Sequence, residues 1–553
     1  MRKAVAILVA FLVVFSAGCI GSSGTSTSTS APAQSSSSTT SSSAVRGINF
    51  SAYLQGAVIG NWSELFNETF YVSDGYSELV KHYFPNAKVR PFSEFRGVGI
   101  AVVSPSEEVK SRVLFGKPVH VSRIEPFGYV AYRYGIHYVG PWIGTVSIFN
   151  TANGSAMVVT GTSKAGVGAA LYFLKEVKDG KLKPDFRAVF RRGAFEGIVV
   201  QEIGDVNLNG IPDDDEHYEL YQLGMTERFN FNWRVVRGEN VTVSGGAIRL
   251  VNGTTVYIRA LGFNVTVKIE NPKNVPLTYV IENVNPKLMV LPEGAKVLDD
   301  TTVELTTPNA SFSIHARNVG EYRVLAFGDH RPPSGDQPPE VFIRIMNEIN
   351  SEDGAFVIDG GDLVYSGTIY QWAELMKVWH WNKPIFIAVG NHEYRGEGVG
   401  IFHYLFGPTD YAFSLGHYRY IFADDVDNGY SLTDEQFAWL KEQFEIAKKR
   451  GERPVVVMHA PPYDPRPGGD DHAMSEESAE KLLRLMREYD AFGIFSHIHL
   501  YWNGTYDGVH FIITGGGGAP LYAPPDEGGF YHFVILTMEP DGRIAIKVVK
   551  VTP

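Results

Sequence analysis

Between residues 321 and 553 the chain alternates short apolar runs with longer amphipathic ones: "YRVLAF", "PEVFIRIMNEIN", "AFVIDG", "TIYQWAELMKVW", "PIFIAVG", then "TDEQFAWLKEQFEIAKK", "PVVVMH", "ESAEKLLRLMREY" and "FGIFSH". The short runs have the length of strands and the long ones repeat at helical spacing, so the alternation predicts an α/β segment with a partly parallel sheet. Open α/β sheets gather their sites beyond the carboxyl ends of the strands. The residues found there are Asp329, Asp362, Asn391, His459, His497 and His499. Hard and borderline cations accept such carboxylate, amide and imidazole donors, whereas thiolate-selected metals are excluded because Cys19 is the only cysteine. The same count excludes a disulfide.

The chain has 553 residues, 44% hydrophobic and 20% charged, a globular composition that at about 100 to 200 residues per domain suggests three or so domains. Its formal net charge is -12, with no run of Lys and Arg, so nucleic acid is not an expected partner. A small phosphate substrate needs local positive charge on such a chain, and metal ions would supply it.

Arg2 and Lys3 precede the apolar run "AVAILVAFLVVF", which is too short to span as a free transmembrane helix and is laid out like a signal peptide. The segment ends in "SAGC" and resembles a lipobox, in which Cys19 is lipidated and becomes the first mature residue, although Ser16 stands where the bacterial pattern has leucine. An ordinary signal peptide with an incidental cysteine is the alternative. Residues 20 to 45, almost all Ser and Thr as far as 43, read as a flexible stalk. Sequons follow at Asn61, Asn67, Asn153, Asn240, Asn252, Asn264, Asn309 and Asn503. Together these predict a protein secreted, or lipid-anchored on the extracellular face of the cell membrane.

Residues 46 to 204 read as a mixed α/β domain, with a strand, turn and helix at "AMVVTGTSKAGVGAALYFLKEV". Gly161, Gly166 and Gly168 are placed as if to cradle a phosphate, but the Gly-Lys-Ser/Thr ending is absent and a helix start capped by Ser163 is the preferred reading. The stretch "DVNLNGIPDDDE", 205 to 216, fits the calcium-loop pattern at every specified position. Asp205, Asn207, Asn209, Asp213 and Glu216 would give side-chain oxygens, Ile211 a carbonyl, and Gly210 the sharp turn, around a structural Ca2+. An acidic Asn/Gly turn without metal is the alternative. From 217 to 320 short β-branched runs between Gly, Asn and Pro turns predict a β-sandwich.

The motifs "GD" at 328 to 329, "GDLVY" at 361 to 365, "GNHE" at 390 to 393, "VVMH" at 456 to 459 and "SHIH" at 496 to 499 resemble, in order, those of calcineurin-like metallophosphoesterases. The resemblance implies a multidomain α+β chain whose residues 321 to 553 form a four-layer α/β/β/α catalytic domain, behind the sandwich and the N-terminal mixed domain. The family's Asp-x-His has Arg331 at the histidine position. Tyr365 in Gly-Asp-x-x-Tyr, His472 and the preceding sandwich are similar to the purple acid phosphatase branch, in which a tyrosine replaces that histidine on a ferric ion. Arg331 and Ser496 depart from the glycines usual there. Carried over, the resemblance implies one metal on Asp329, Asp362, Tyr365 and His499, and a second on Asp362, Asn391, His459 and His497, with iron accompanied by Zn, Mn or Fe.

By the same resemblance His392 would stabilise the transition state or protonate the leaving alkoxide, a role suited to a pKa near 6.5. His472 would face the substrate. Arg331 would contact the phosphate or pair with nearby carboxylates, while His330 and His532 are expected to be packed or solvated. The implied function is hydrolysis of small phosphate esters, foremost monoesters. The alternatives are a phosphodiesterase on the same metals, or a surface attachment or scaffold protein with a degenerate phosphatase domain.

Overall fold

The computed structural model describes residues 69–106, 121–133, 136–151, 154–184, 187–188, 195–223, 230–270, 272–469 and 472–553. The signal-like segment with Cys19, the stalk, and the sequons at Asn61, Asn67 and Asn153 lie outside the described residues.

An eight-stranded mixed sheet organises the N-terminal part, running Glu219–Gln222, Phe195–Ile203, Ile143–Thr151, Gly154–Gly161, Gly99–Val102, Thr69–Val72 and Lys88–Pro91, with Arg187–Ala188 added to Phe195–Ile203. The helices Ser77–Tyr83 and Lys164–Lys178 bury Leu79, Val80, Val167, Leu171 and Leu174 in its core. Ser163 caps the second helix by accepting from the Gly166 amide. A Cβ on Gly166 would strike the carbonyl oxygen of Ile143, and one on Gly168 the backbone of Gly210. These glycines therefore serve close packing of helix on strand and loop. The sheet also runs past residue 217, where the sequence places the start of the sandwich. The loop from 205 to 216 doubles the chain back, so that Glu219–Gln222 pairs antiparallel with residues 200 to 203.

Two five-stranded sheets follow. One is ordered Trp233–Val236, Glu239–Ser244, Asn264–Glu270, Ser311–Ala316, Met289–Val290, and the other Gly246–Asn252, Thr255–Ala260, Leu277–Glu282, Thr302–Thr307, Lys296–Asp299. Period-two alternation buries Val241, Val243, Val265 and Val267 from the first in one cluster with Val256, Ile258, Tyr279 and Ile281 from the second, as the inner faces of a sandwich require.

Two further sheets carry the rest. The first is ordered Ile385–Ile387, Phe356–Asp359, Tyr322–Phe327, His532–Met538, Ile544–Lys550, and its first three strands are parallel. The second is ordered Tyr411–Leu415, Tyr418–Phe422, Arg453–Val457, Phe492–Phe495, Val509–Thr514, Tyr501–Tyr506, and is parallel through its four central strands. Phe356 of the first meets Phe413 and Tyr420 of the second at ring separations of 5.6 and 4.9 Å. The helices Glu340–Ser351, Ile369–Val378 and Gly398–Phe406 cluster with the first sheet through Phe342, Ile345, Trp372 and Phe402. Asp434–Arg450 and Glu476–Glu488 cluster with the second through Leu440, Phe444, Leu482 and Met486. Sequence sets these helix ends: Thr433 and Gln436 close a reciprocal capping box, and Gly451 ends that helix at φ 67°. The sandwich joins this unit through Phe263, 5.6 Å from Phe356, and through Asn283, which accepts from the Ile385 amide at 2.8 Å.

Candidate metal centre

The parallel strands of both sheets point their carboxyl ends at one place, and the turns there are tight. Asp329, Asp362 and His497 have φ of 56°, 59° and 67°, the left-handed region that short polar residues tolerate best among those with a side chain. The turns are cross-braced: the Asp329 amide donates to Gly361 O and the Arg331 amide to Asp362 O, both at 2.9 Å. Strain held by such bracing marks a functional site. Ser496 also finds its reason here. Its Oγ occupies the space that a Cβ on Gly328 or Gly360 would take, so the three positions form one packed crossing.

Two sets of ligand atoms converge, each within 4.8 Å: Asp362, His459 and His497, and Asp329, Asp362 and His499. His459 Nδ1 donates to Gly360 O at 2.7 Å, which leaves its Nε2 lone pair facing Asn391 Oδ1 and His497 Nδ1, each 3.1 Å away, and Asp362 Oδ1 at 3.4 Å. His499 Nδ1 likewise donates to Pro520 O, and its Nε2 lies 3.4 Å from Asp329 Oδ1. That Oδ1 is buried with no hydrogen-bond partner. Lone pairs and carboxylate oxygens turned towards one another, one of them unpartnered, fit a pair of cations sharing Asp362.

Electrostatics agree with the geometry. Burial opposes charge on Asp362, yet His459, His392, His497 and Arg331 hold its carboxyl well below the usual range. Against its burial, His459 is raised to about 9 by Asp362, Asp329 and Asp425, a pull on positive charge at Nε2 that a cation would answer in place of a proton, while burial and the charge of His459 push His497 well below its ordinary value.

Three carboxylates outside the expected set hold these loops. Glu393 accepts from the amides of Asp362, Leu363 and Gly390 at 2.8 to 2.9 Å, and burial with the charge of Asp362 raises it to about 8. Asp425 accepts from the amides of His459 and Ala460 at 3.2 and 2.9 Å, and burial raises it to about 7. Asp359 takes His330 Nε2 at 3.0 Å, with the His330 ring stacked on Phe342. His330 is thus packed, as is His532, which is fully buried and bonded to Thr514 and Phe530 O. Glu393 was visible in "GNHE" as a motif letter only; Asp359 and Asp425 carried no spacing signal.

Above the ligands lies a cavity of about 260 Å³, lined among others by Arg331, Tyr365, His392, Arg395, His472 and Tyr522. Arg331 Nε is 3.4 Å from Asp362 Oδ2, so the carboxylate pairing is realised. The Tyr365 ring lies beneath the guanidiniums of Arg331 and Arg395, at 5.3 and 5.8 Å. His392 Nδ1 bonds Tyr365 O, its amide donates to Asp362 Oδ1 at 3.0 Å, and its Nε2 lies 3.6 Å from Asp362 Oδ2. Burial pushes it down to about 4, away from the ordinary value on which the sequence expectation rested. The His472 ring is 5.2 Å from His497.

Outside this centre, the loop from 205 to 216 is closed on itself. Asp205 accepts from the amides of Asn209 and Gly210, Glu216 from those of Val206 and Asp213, and the side-chain amides of Asn207 and Asn209 reach Asp213. Gly210 turns at φ 84°.

Residues 322–501 match the family model described as calcineurin-like phosphoesterase. No curated protein matches the chain. Similar solved structures include a purple acid phosphatase from yellow lupin (Lupinus luteus) seeds, at 16% identity over 52% of this chain and 72% of that one, with a TM-score of 0.36. A dimetal phosphatase from Danio rerio is similar at 13% identity over 42% of this chain and 100% of that one, with a TM-score of 0.32. GAP50, the anchor in the inner membrane complex of Plasmodium, is similar at 17% identity over 42% and 85%, with a TM-score of 0.35.

Proposed function

From the premise that residues 322–501 are a calcineurin-like phosphoesterase domain, we propose that this protein is an exported, membrane-anchored phosphatase of small phosphomonoesters. In this reading the two sheets packed between helices are the four-layer α/β/β/α core. The observation that carries it is the convergence of two ligand sets on the shared Asp362, with Asp329 Oδ1 buried and unpartnered. Asp329, Asp362 and His499, joined by Tyr365, would hold one metal, and Asp362, Asn391, His459 and His497 the other. Such a pair supplies Lewis acidity towards phosphate oxygens and an activated water for in-line displacement.

The chain's own groups do the rest. Arg331 and Arg395, which line the cavity, offer planar donors to the non-reacting phosphate oxygens, which favours a dianionic monoester over a diester. Asp359, Asp425 and Glu393 keep the ligand loops from moving as charge changes above them.

The test is metal analysis of the chain coupled to turnover of nitrophenyl phosphate and bis-nitrophenyl phosphate. Two bound metals with faster monoester turnover support the proposal, and faster diester turnover moves it to a phosphodiesterase. Bound metals without turnover would favour the attachment or scaffold reading, which the Arg331–Asp362 ion pair motivates.

Metal identity turns on Tyr365. With iron at its site, Tyr365→Phe is expected to abolish a ferric charge-transfer band in the visible spectrum while activity on other metals survives. A colourless, iron-free, fully active wild type removes the protein from the purple branch.

Anchoring rests on the "SAGC" segment. No described helix is long and apolar enough to cross a membrane. Cys19→Ser is expected to shift the protein from the membrane fraction to the soluble one or to block its maturation, and unchanged detergent-dependent fractionation counts against the lipid. Of the remaining sequons, Asn252, Asn264, Asn309 and Asn503 are exposed, as glycan attachment requires.

A further inference from the structure

We propose that the loop from 205 to 216 binds a calcium ion, and that this ion pins the N-terminal sheet to the sandwich, independently of any phosphatase activity. The observation beyond the motif is Glu202. It stands near the end of the strand Phe195–Ile203, is 1% exposed, and its Oε1 has no hydrogen-bond partner. Its carboxyl accepts from the Asp205 amide, which sets it against the first residue of the loop, and to its burial are added the charges of Asp205 and Glu216. Asp205 is fully buried as well, and the twelve loop residues include five acids and no Lys or Arg.

Burying a carboxylate with an unpaired oxygen beside two others is unfavourable unless a proton or a cation offsets the charge, and a cation offsets all three at once. The donors at the loop's ligand positions are all oxygens, from Asp205, Asn207, Asn209, Asp213 and Glu216 with the Ile211 carbonyl, and the turn at Gly210 has the left-handed φ the pattern needs. An all-oxygen set of this size suits calcium better than magnesium, which demands a small octahedral shell, or zinc, which favours four donors with nitrogen or sulfur among them.

The loop is bonded outward on both sides. From the N-terminal part, Tyr83 Oη donates to Gly210 O at 2.8 Å and Trp142 Nε1 to Asp205 O at 3.0 Å. From the sandwich, the hairpin turns at Gly253 and Gly238 donate their amides to Val206 O and Asp215 O at 2.6 and 2.5 Å. Fixing the loop therefore fixes both partners of the junction.

The test uses the full chain, stripped by chelator and titrated with calcium chloride while heat and melting temperature are followed. The melting temperature is expected to rise by on the order of 5 °C at calcium about 100-fold above its dissociation constant. Asp362→Asn, altered only in the dinuclear centre, keeps that rise, which separates this site from the catalytic one. Glu216→Gln abolishes it. Glu202→Gln raises the calcium-free melting temperature and weakens calcium binding by about tenfold, the mark of a relieved repulsion. If Glu216→Gln does not fold, Asp213→Asn is read in its place. A wild-type melting temperature unmoved by calcium overturns the proposal, as does a full calcium response in both loop variants.

Discussion

Asp362→Asn is expected to lose about 10³-fold in phosphate-ester turnover together with at least one bound metal. The residue belongs to both convergent ligand sets, and the imidazoles of His459, His392 and His497 and the Arg331 guanidinium all bear on its carboxylate. The amide is nearly isosteric and keeps the fold of the turn, so the loss reports charge rather than shape. Without metal the variant also leaves Arg331, 3.4 Å away and buried, facing a neutral amide, and breaking a buried pair in this way costs about 3 to 5 kcal/mol. The metal-free variant should accordingly melt below the metal-free wild type. Full activity with two metals in this variant would take Asp362 out of the mechanism.

His392→Ala is expected to lose about 10² to 10⁴-fold towards an alkyl phosphate and distinctly less towards nitrophenyl phosphate, with both metals retained. An alkoxide leaving group needs a proton and a nitrophenolate does not. The geometry adds a pH dependence. Because His392 Nδ1 is committed to Tyr365 O, the neutral ring presents only a lone pair at Nε2, and proton donation requires the imidazolium. With burial holding the group near 4, the imidazolium fraction grows as pH falls, so the gap between variant and wild type should widen in acid and close towards pH 8. A loss uniform across leaving groups and pH would make His392 a stabiliser of phosphoryl oxygens, and the acid would then be sought at His472.

The candidate ligands were legible as a group because metal chemistry restricts residue type and strand ends restrict position, and both leave marks in one dimension. Asp329, Asp362, Asn391, His459, His497 and His499 meet where the alternation of runs placed them. Glu393 and Asp425 were not legible as supports, since their partners are backbone amides of loops brought near only by the fold, and an amide has no letter. The strand Glu219–Gln222 escaped for a related reason: its pairing depends on how the preceding loop turns, which the local pattern "ELYQ" does not contain. His392 shows the limit for chemistry. Its place in the motif implied a role, but the burial that lowers its pKa comes with contacts to Asp362 and Tyr365, 30 and 27 residues away in sequence.

The left-handed turns at Asp329, Asp362 and His497 narrow the paths by which this centre can change. A replacement there must satisfy two separate filters, an oxygen or nitrogen donor of the right reach and a backbone that accepts positive φ. Asp, Asn and His pass both, whereas Glu, a good ligand, carries no such ease with the conformation, and β-branched residues fail outright. Drift at these positions is therefore channelled among three residue types, each of which keeps the turn intact while altering charge. One substitution can therefore remove a charge from the cluster without changing its shape, so a descendant unable to hold a cation would still look, in outline, like one that could.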